Sequence, residues 1–336
     1  MQVPSTTVYP NTWPPQLKDG LRTPPSYKEG GLTIQPILQS GDSSFGAEIQ
    51  GVDWSRPVSG EVVQQLISLQ DKFAVLVFRD TGLDDERHIA FTQQLGRDLE
   101  INPFFYGREN DRVGNPYLWD VSNINIDGTT VQPGSRRWHH SRGNALWHTD
   151  SSFHRPRAKY SLLLSHGAPA RGGSWTHFAD TRRAYNDLAD ERKAELDDLV
   201  IEHDLWHSRR LGAPDAFNNV EQPSITARHR LVQEAPDGRK TLYIAAHAKS
   251  VVGWDQTESE KLICDLIDHC TAPEYVFSLE WLGGGDLVWW DNRQCMHRAN
   301  PYTTGMTARD VRRATVNDDG PLAYGVVPKG EAEGDE

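Results

Sequence analysis

Two histidines and one carboxylate, His148, Asp150 and His297, are the residues of this chain whose types and spacing promise chemistry. Such a set can hold one face of an Fe(II) ion and leave the opposite face open to exchangeable ligands. His148 and Asp150 are two residues apart, so on an extended backbone both side chains leave on the same side. On a helix they would diverge by roughly 200°, given 3.6 residues per turn. The flanks Leu146-Trp147 and Ser151-Ser152-Phe153 favour the extended reading. Alone, His-x-Asp carries little information, because a polar strand end in a chain with 13 histidines produces it by chance.

The elements that would complete the site lie far downstream. Leu287-Val288-Trp289-Trp290 reads as a buried strand, entered through the turn Gly283-Gly284-Gly285-Asp286, and the chain runs on to His297. Beyond it stands a basic cluster, Arg309, Arg312 and Arg313, the last opening the β-prone run Ala314-Thr315-Val316. A guanidinium buried without a partner costs several kcal/mol, and its planar fork matches a carboxylate bidentately. Period-two alternation gives Arg309, Val311 and Arg313 one face and Arg312 the other. A metal with open positions beside a carboxylate clamp is more than a structural site requires.

These residues carry a family resemblance. From about Leu32 to about Asp319 the chain resembles the taurine dioxygenase and 2,4-dichlorophenoxyacetate dioxygenase (TauD/TfdA-like) group of Fe(II)/2-oxoglutarate-dependent enzymes. The matching segments keep the family's order. They are Phe45-Gly46-Ala47-Glu48-Ile49, Asp53-Trp54-Ser55-Arg56-Pro57, Ala74 to Asp80, Leu146 to Phe153, Arg171-Gly172-Gly173 with Thr176, Trp290-Asp291-Asn292-Arg293 to His297, and Arg313-Ala314-Thr315. The resemblance implies that His148, Asp150 and His297 bind iron. It implies that Arg309, helped by the Thr176 hydroxyl, grips the distal carboxylate of 2-oxoglutarate. Arg313 would face the acidic group of the substrate, and Asn144 would lie near it. Two departures leave alternatives open: one extra residue precedes Thr176, which lets Trp175 compete for its role, and the loop after His297 is one residue longer, which lets Arg312 compete with Arg309.

The fold this implies is mainly β with peripheral helices around a double-stranded β-helix, a cupin-like jelly-roll core. Short strands with Gly/Pro turns and helices at the edges agree with it. Expected strands include Phe73–Phe78, Tyr160–Leu164, Thr241–Ile244, Tyr275–Phe277 and Asp286–Trp290. Expected helices include Val62–Ile67, Asp84–Leu95 stopped by Gly96, and Thr181–Val200. Another starts from a capping box at Thr257-Glu258-Ser259-Glu260. Residues 1–31 read as a Pro-rich arm, 32–322 as a single domain and 323–336 as an acidic, flexible tail.

At 336 residues the chain can bury a large core. A net charge of −12 argues against nucleic acid, whose phosphates need a basic surface, but not against a small acid met by local arginines. No run approaches the ~18 apolar residues of a membrane span, and no targeting signal is evident. Cys264, Cys270 and Cys295 show neither a disulfide framework nor thiolate metal spacing, the pattern of reduced thiols in a cytoplasmic protein. A homo-oligomer is compatible with all of this. His203 and His207 read as part of a solvated loop or lid, and His139-His140 as a polar loop that could close over a substrate, with a surface role favoured over a catalytic one.

The expected activity is oxidation of an unactivated C–H bond of a small acidic organic substrate, a carboxylate by preference. It uses Fe(II), 2-oxoglutarate and O2 and releases succinate and CO2. Hydroxylation is the first outcome; ether cleavage, desaturation and ring closure share the same start. A halogenase of this broad type would lack the carboxylate that Asp150 supplies. The alternatives are a taurine-type sulfonate dioxygenase and, from other classes, a non-catalytic metal-stabilised jelly-roll that binds a small acid or a zinc hydrolase. The binding protein would leave Arg309 and Thr176 without a task, and the hydrolase lacks a general-base carboxylate beside the triad.

Overall fold

Val63, Leu66, Leu69 and Phe73 recur at helical spacing and are all buried in α1 (Gly60–Phe73). The Ser59 side chain caps its start, and Ala74 ends it in the left-handed region at φ 60°. The expected strand Phe73–Phe78 therefore loses its first two residues, and strand β4 (Val75–Phe78) begins at Val75. The computed structural model describes residues 24–40, 43–103, 105, 107, 111–167, 175–219, 223–300 and 307–326. Arg171-Gly172-Gly173, most of the expected arm and most of the acidic tail lie outside the described residues.

Among the described residues the chain forms sixteen strands and eight α-helices. The first six strands are β1 (Tyr27–Glu29), β2 (Leu32–Ser40), β3 (Ser43–Gln50), β4 (Val75–Phe78), β5 (Trp119–Asp120) and β6 (Ala158–Gly167). Next come β7 (Trp175–Asp180), β8 (Val200–Asp204), β9 (Thr226–Arg230), β10 (Val232–Glu234), β11 (Lys240–Leu242) and β12 (Ala248–Val251). The last four are β13 (Val276–Glu280), β14 (Leu287–Asp291), β15 (Cys295–Ala299) and β16 (Asp310–Asn317). After α1 the helices are α2 (Asp85–Gln93), α3 (Arg136–Ser141), α4 (Thr181–Asn186), α5 (Asp190–Leu196), α6 (Leu205–Gly212), α7 (Pro214–Phe217) and α8 (Gln256–Cys270).

One eight-stranded sheet runs β1-β2-β3-β4-β14-β6-β16-β5, and a smaller one runs β13-β7-β15. Their inner faces meet across Phe45, Val77, Val288 and Trp290 from the first and Phe178, Phe277 and Leu279 from the second. The alternate residues Leu76, Phe78, Leu162, Leu164, Leu287 and Trp289 pack beneath α1 and α2. The outer side of the small sheet, through Ala179 and Met296, packs on α8 through Leu262, Ile263, Leu266 and Ile267. Both faces of the central strands are thus covered, so they read as continuous apolar runs.

Three local expectations are corrected. The helix expected over Thr181–Val200 is two short ones, α4 and α5; the chain turns at Asn186-Asp187, residue types that trade helix for local polar bonds, and Val200 already opens β8. The cap of α8 lies two residues before the expected box: the Asp255 carboxylate accepts the Glu258 N–H at 3.0 Å. The strand expected over Thr241–Ile244 is Lys240–Leu242. At the ends of the expected domain, Tyr27–Glu29 pairs with β2, and Arg157 N–H bonds the Ala323 carbonyl at 3.0 Å. No helix among the described residues is long and apolar enough to cross a membrane.

Candidate active site

His148 reaches the site by extending the small sheet. It pairs with His297 on β15 as an isolated antiparallel bridge, His148 N–H to His297 carbonyl at 2.9 Å and the reverse bond at 2.8 Å. The expected extended segment is thus one paired residue long, because the chain turns immediately and Ser151 has φ 49°. Asp150 still converges on the histidines. Its backbone N–H donates to Asn292 Oδ1 at 2.9 Å, which ties the turn to the end of β14.

All three side chains are buried, and one ligand-type atom from each lies within 4.8 Å of the others. His148 Nε2 stands 3.8 Å from Asp150 Oδ1, and His297 Nε2 stands 3.7 Å from Asp150 Oδ2. Those gaps exceed a hydrogen bond and fall short of two metal–ligand bonds of about 2.1 Å laid end to end. The donor set fits one divalent ion. The His148 Nδ1–H is held by the Leu146 carbonyl at 2.7 Å, which leaves Nε2 with its lone pair. Burial lowers the pKa of both His148 and His297, keeping the imidazoles neutral as ligation demands. Burial by itself would raise the Asp150 carboxyl; the charge of the Arg313 guanidinium and the Ser161 hydroxyl act against that, and it lies below its usual range.

A second layer fixes the carboxylate. Ser161 Oγ donates to Asp150 Oδ2 at 2.7 Å and accepts from Asn292 Nδ2 at 2.9 Å. Asn292 Oδ1 also accepts from Trp290 Nε1 at 3.1 Å. Asn292 stood inside a motif segment, but Ser161 gives no local signal; only the pairing of β6 with β14 brings it there.

The arginines separate by strand parity. Arg313 turns inward and pairs with Asp150 Oδ1, and its Cζ lies 5.0 Å from the centre of the Trp119 ring. Arg312 turns outward and pairs with Asp85 of α2 and with Asp310. Arg309 is buried, its N–H bonded to Asn123 Oδ1 at 2.7 Å and its Nη1 to the Val121 carbonyl at 3.2 Å. Its Cζ lies 5.7 Å from the centre of the Trp281 ring, whose Nε1 donates to Thr176 Oγ1 at 3.0 Å. Thr176 shares the inner face of β7 with Phe178, whereas Trp175 belongs to the opposite parity. Arg312 and Trp175 are therefore turned away from the inter-sheet space that holds Arg309 and Thr176.

A cavity of about 190 Å³ opens onto His148 and Asp150, lined also by Arg313, Asn144, Phe153 and His247. Asn144 sits in the short 3-10 turn Arg142–Ala145. His140 lines the cavity from α3, a helix where a loop was expected. His203 and His207 are not in a solvated loop. The first is fully buried in β8, with Nδ1 2.9 Å from Ser152 Oγ, and the second belongs to α6. The three cysteines are buried and free.

Two facing sheets, a two-histidine, one-carboxylate cluster and an arginine-bearing cavity at its open side define a class, that of mononuclear metal oxygenases. The chain belongs to the family described as taurine catabolism dioxygenase TauD, TfdA family, which it matches over residues 33–315. It is an Fe(II)- and 2-oxoglutarate-dependent dioxygenase. It is 35% identical over 277 residues to the alpha-ketoglutarate-dependent 2,4-dichlorophenoxyacetate dioxygenase of Cupriavidus pinatubonensis, covering 82% of this chain and 95% of that one. It is 31% identical to the (S)-phenoxypropionate/alpha-ketoglutarate-dioxygenase of Sphingobium herbicidovorans, over 78% of this chain and 88% of that one. A solved structure of AAD-2 in complex with Mn(II) and N-oxalylglycine superimposes with a TM-score of 0.74 at 38% identity, over 81% of this chain and 94% of that one.

Proposed function

We propose that the enzyme oxidises a C–H bond of a small organic carboxylate, with His148, Asp150 and His297 holding the iron. The observation that carries this reading is the convergence of their ligand atoms, within 4.8 Å, beside a cavity lined by His148, Asp150 and Arg313. Three protein ligands leave the remaining positions for 2-oxoglutarate and O2. Iron with its cosubstrate supplies the oxidising chemistry, with release of succinate and CO2.

The chain's own residues bind, orient and exclude water. Arg309, buried beside Trp281, meets the distal carboxylate of 2-oxoglutarate, and Thr176, oriented by Trp281 Nε1, supplies a hydroxyl to it. Arg313 engages the acidic group of the substrate, and Asn144 flanks it from the cavity wall. Ser161 and Asn292 hold Asp150 in its ligating orientation. The two facing sheets are read as a double-stranded β-helix, whose mouth is a natural seat for a metal and two acids. Hydroxylation is the outcome, and an alkyl ether hydroxylated beside its oxygen collapses with cleavage.

The carboxylate is preferred to a sulfonate because the 2,4-dichlorophenoxyacetate relative is 35% identical to this chain, against 26% for a solved taurine dioxygenase from Burkholderia xenovorans. The test is an anaerobic titration of the metal-free protein with Fe(II) and then 2-oxoglutarate. A visible metal-to-ligand charge-transfer band, followed by succinate release with phenoxyacetic acids, is the expected result. Bound iron without that band would overturn the reading.

A further inference from the structure

Helix α6 brings one cationic group to the cavity that the roles above leave unused. Arg209 lines the same space as Arg313, Asp150 and His148. Among the described residues its guanidinium makes one hydrogen bond, from Nη1 to the His140 carbonyl at 2.6 Å, and pairs with no carboxylate. Two other arginines near the cavity are neutralised by carboxylates. Arg112 joins Asp120 at 2.8 Å and Asp310 at 2.7 Å, and Arg137 meets Asp120 at 2.7 Å. Those charges cancel at the cavity rim, and among the described residues Arg209 meets no carboxylate.

Its seat is built by glycines. A Cβ on Gly143 would fall 2.7 Å from Arg209 Nη1, so a side chain there would displace the guanidinium. A Cβ on Gly212, at the end of α6, would fall 3.1 Å from Gly143 N and 3.2 Å from the Arg142 carbonyl carbon. The helix and the turn carrying Asn144 therefore pack backbone to backbone, which fixes Arg209 against the cavity. Burial and the neighbouring charge of Arg313 draw the Arg209 pKa down to about 10, still protonated at neutral pH but held at a cost that an anion would relieve.

We propose that Arg209 is a second anion-binding residue of the substrate pocket, gripping together with Arg313 the acidic head group of the primary substrate. The inference rests on reading this cavity as the substrate site. Arg313 already pairs with Asp150, whereas among the described residues Arg209 pairs with no carboxylate and is left to meet an acid. Two planar forks on one head group would also fix its direction, and with it the carbon presented to the metal.

The experiment compares wild type, Arg209→Met and Arg209→Lys as the anaerobic Fe(II)–2-oxoglutarate complex. The probes are 2,4-dichlorophenoxyacetate and its neutral amide at constant ionic strength. Wild type should favour the acid. Arg209→Met should lose at least tenfold of that preference, Arg209→Lys should recover part of it, and 2-oxoglutarate should titrate the charge-transfer band as in wild type. Undiminished acid preference in Arg209→Met overturns the proposal, as does a weakened 2-oxoglutarate titration, which would assign Arg209 to the cosubstrate. If wild type shows no preference for the acid, the carboxylate reading of the substrate fails separately. The ligand-free proteins then decide. An unfolding midpoint of Arg209→Met at or above wild type identifies an uncompensated charge kept for an anion, and a lower midpoint identifies a structural strut and overturns the proposal.

Discussion

Removal of the Ser161 hydroxyl should weaken metal binding without touching a ligand. Ser161→Ala deletes the 2.7 Å bond to Asp150 Oδ2 and the acceptor for Asn292 Nδ2 at 2.9 Å. A hydrogen bond to a charged group contributes about 1.5–3 kcal/mol. The metal-free protein makes the same bond, so most of that loss appears as stability, about 2 kcal/mol, and lowers the unfolding midpoint by roughly 4 °C for a chain of this size. What reaches metal affinity is the orientation of the carboxylate between two imidazoles 3.7 and 3.8 Å away. Loss of such a supporting bond typically costs 10–100-fold, and because part of the energy is spent in the metal-free state, about tenfold, or ~1.4 kcal/mol, is expected. Calorimetric titration with Mn(II), which avoids oxidation, reads this directly, and thermal unfolding reads the stability share. A variant that melts lower yet binds Mn(II) as tightly as wild type would refute the reasoning, since the hydroxyl would then support the fold and not the ligand. Asn292→Ala should be worse than Ser161→Ala on both readouts, because it strips an acceptor from Asp150 N–H and Trp290 Nε1 together.

His148→Ala should abolish bound iron and turnover at once; wild-type activity in that variant would remove it from the ligand set. Arg309→Ala should raise the 2-oxoglutarate requirement sharply, by an order of magnitude or more, with Mn(II) affinity nearly unchanged. A change confined to the primary substrate would mean that Arg309 and Arg313 have been assigned the wrong way round. Arg313→Ala should weaken the acidic substrate and uncouple succinate release from product formation, measured as the ratio of the two. Stability should fall as pH drops below about 6.5. His88 is buried with its pKa lowered to about 4, chiefly by burial, so the unfolded chain takes up the proton first, and the stability present above the unfolded value is lost towards the folded one. That shift corresponds to about 3 kcal/mol between pH 6.5 and 4, and a melting temperature that stays level from pH 7 to 5 would contradict it.

What the chain declares locally is its periodicity. The helical apolar face of Val62–Ile67, the helix expected from Asp84 and the apolar run Leu287–Trp290 each rest on neighbours in sequence, and the structure contains helices and a strand at those places. Strand alternation likewise separated Arg313 from Arg312, because opposite faces of one strand follow from backbone geometry alone. Where local signals competed, tertiary packing decided: Phe73 left its strand for α1, Thr181–Val200 broke into two helices and a strand, and His203 went from an expected loop into the core. The site shows the same division. Residue types nominated His148, Asp150 and His297, but the backbone bridge between the two histidines and the turn at Ser151 exist only in the folded chain. Ser161 and Arg209 carry no signature at all, since what marks them is the distant group each meets or fails to meet. Hydrogen-bond satisfaction and charge compensation are properties of neighbours in space, and sequence spacing reports them only where both partners lie on one element.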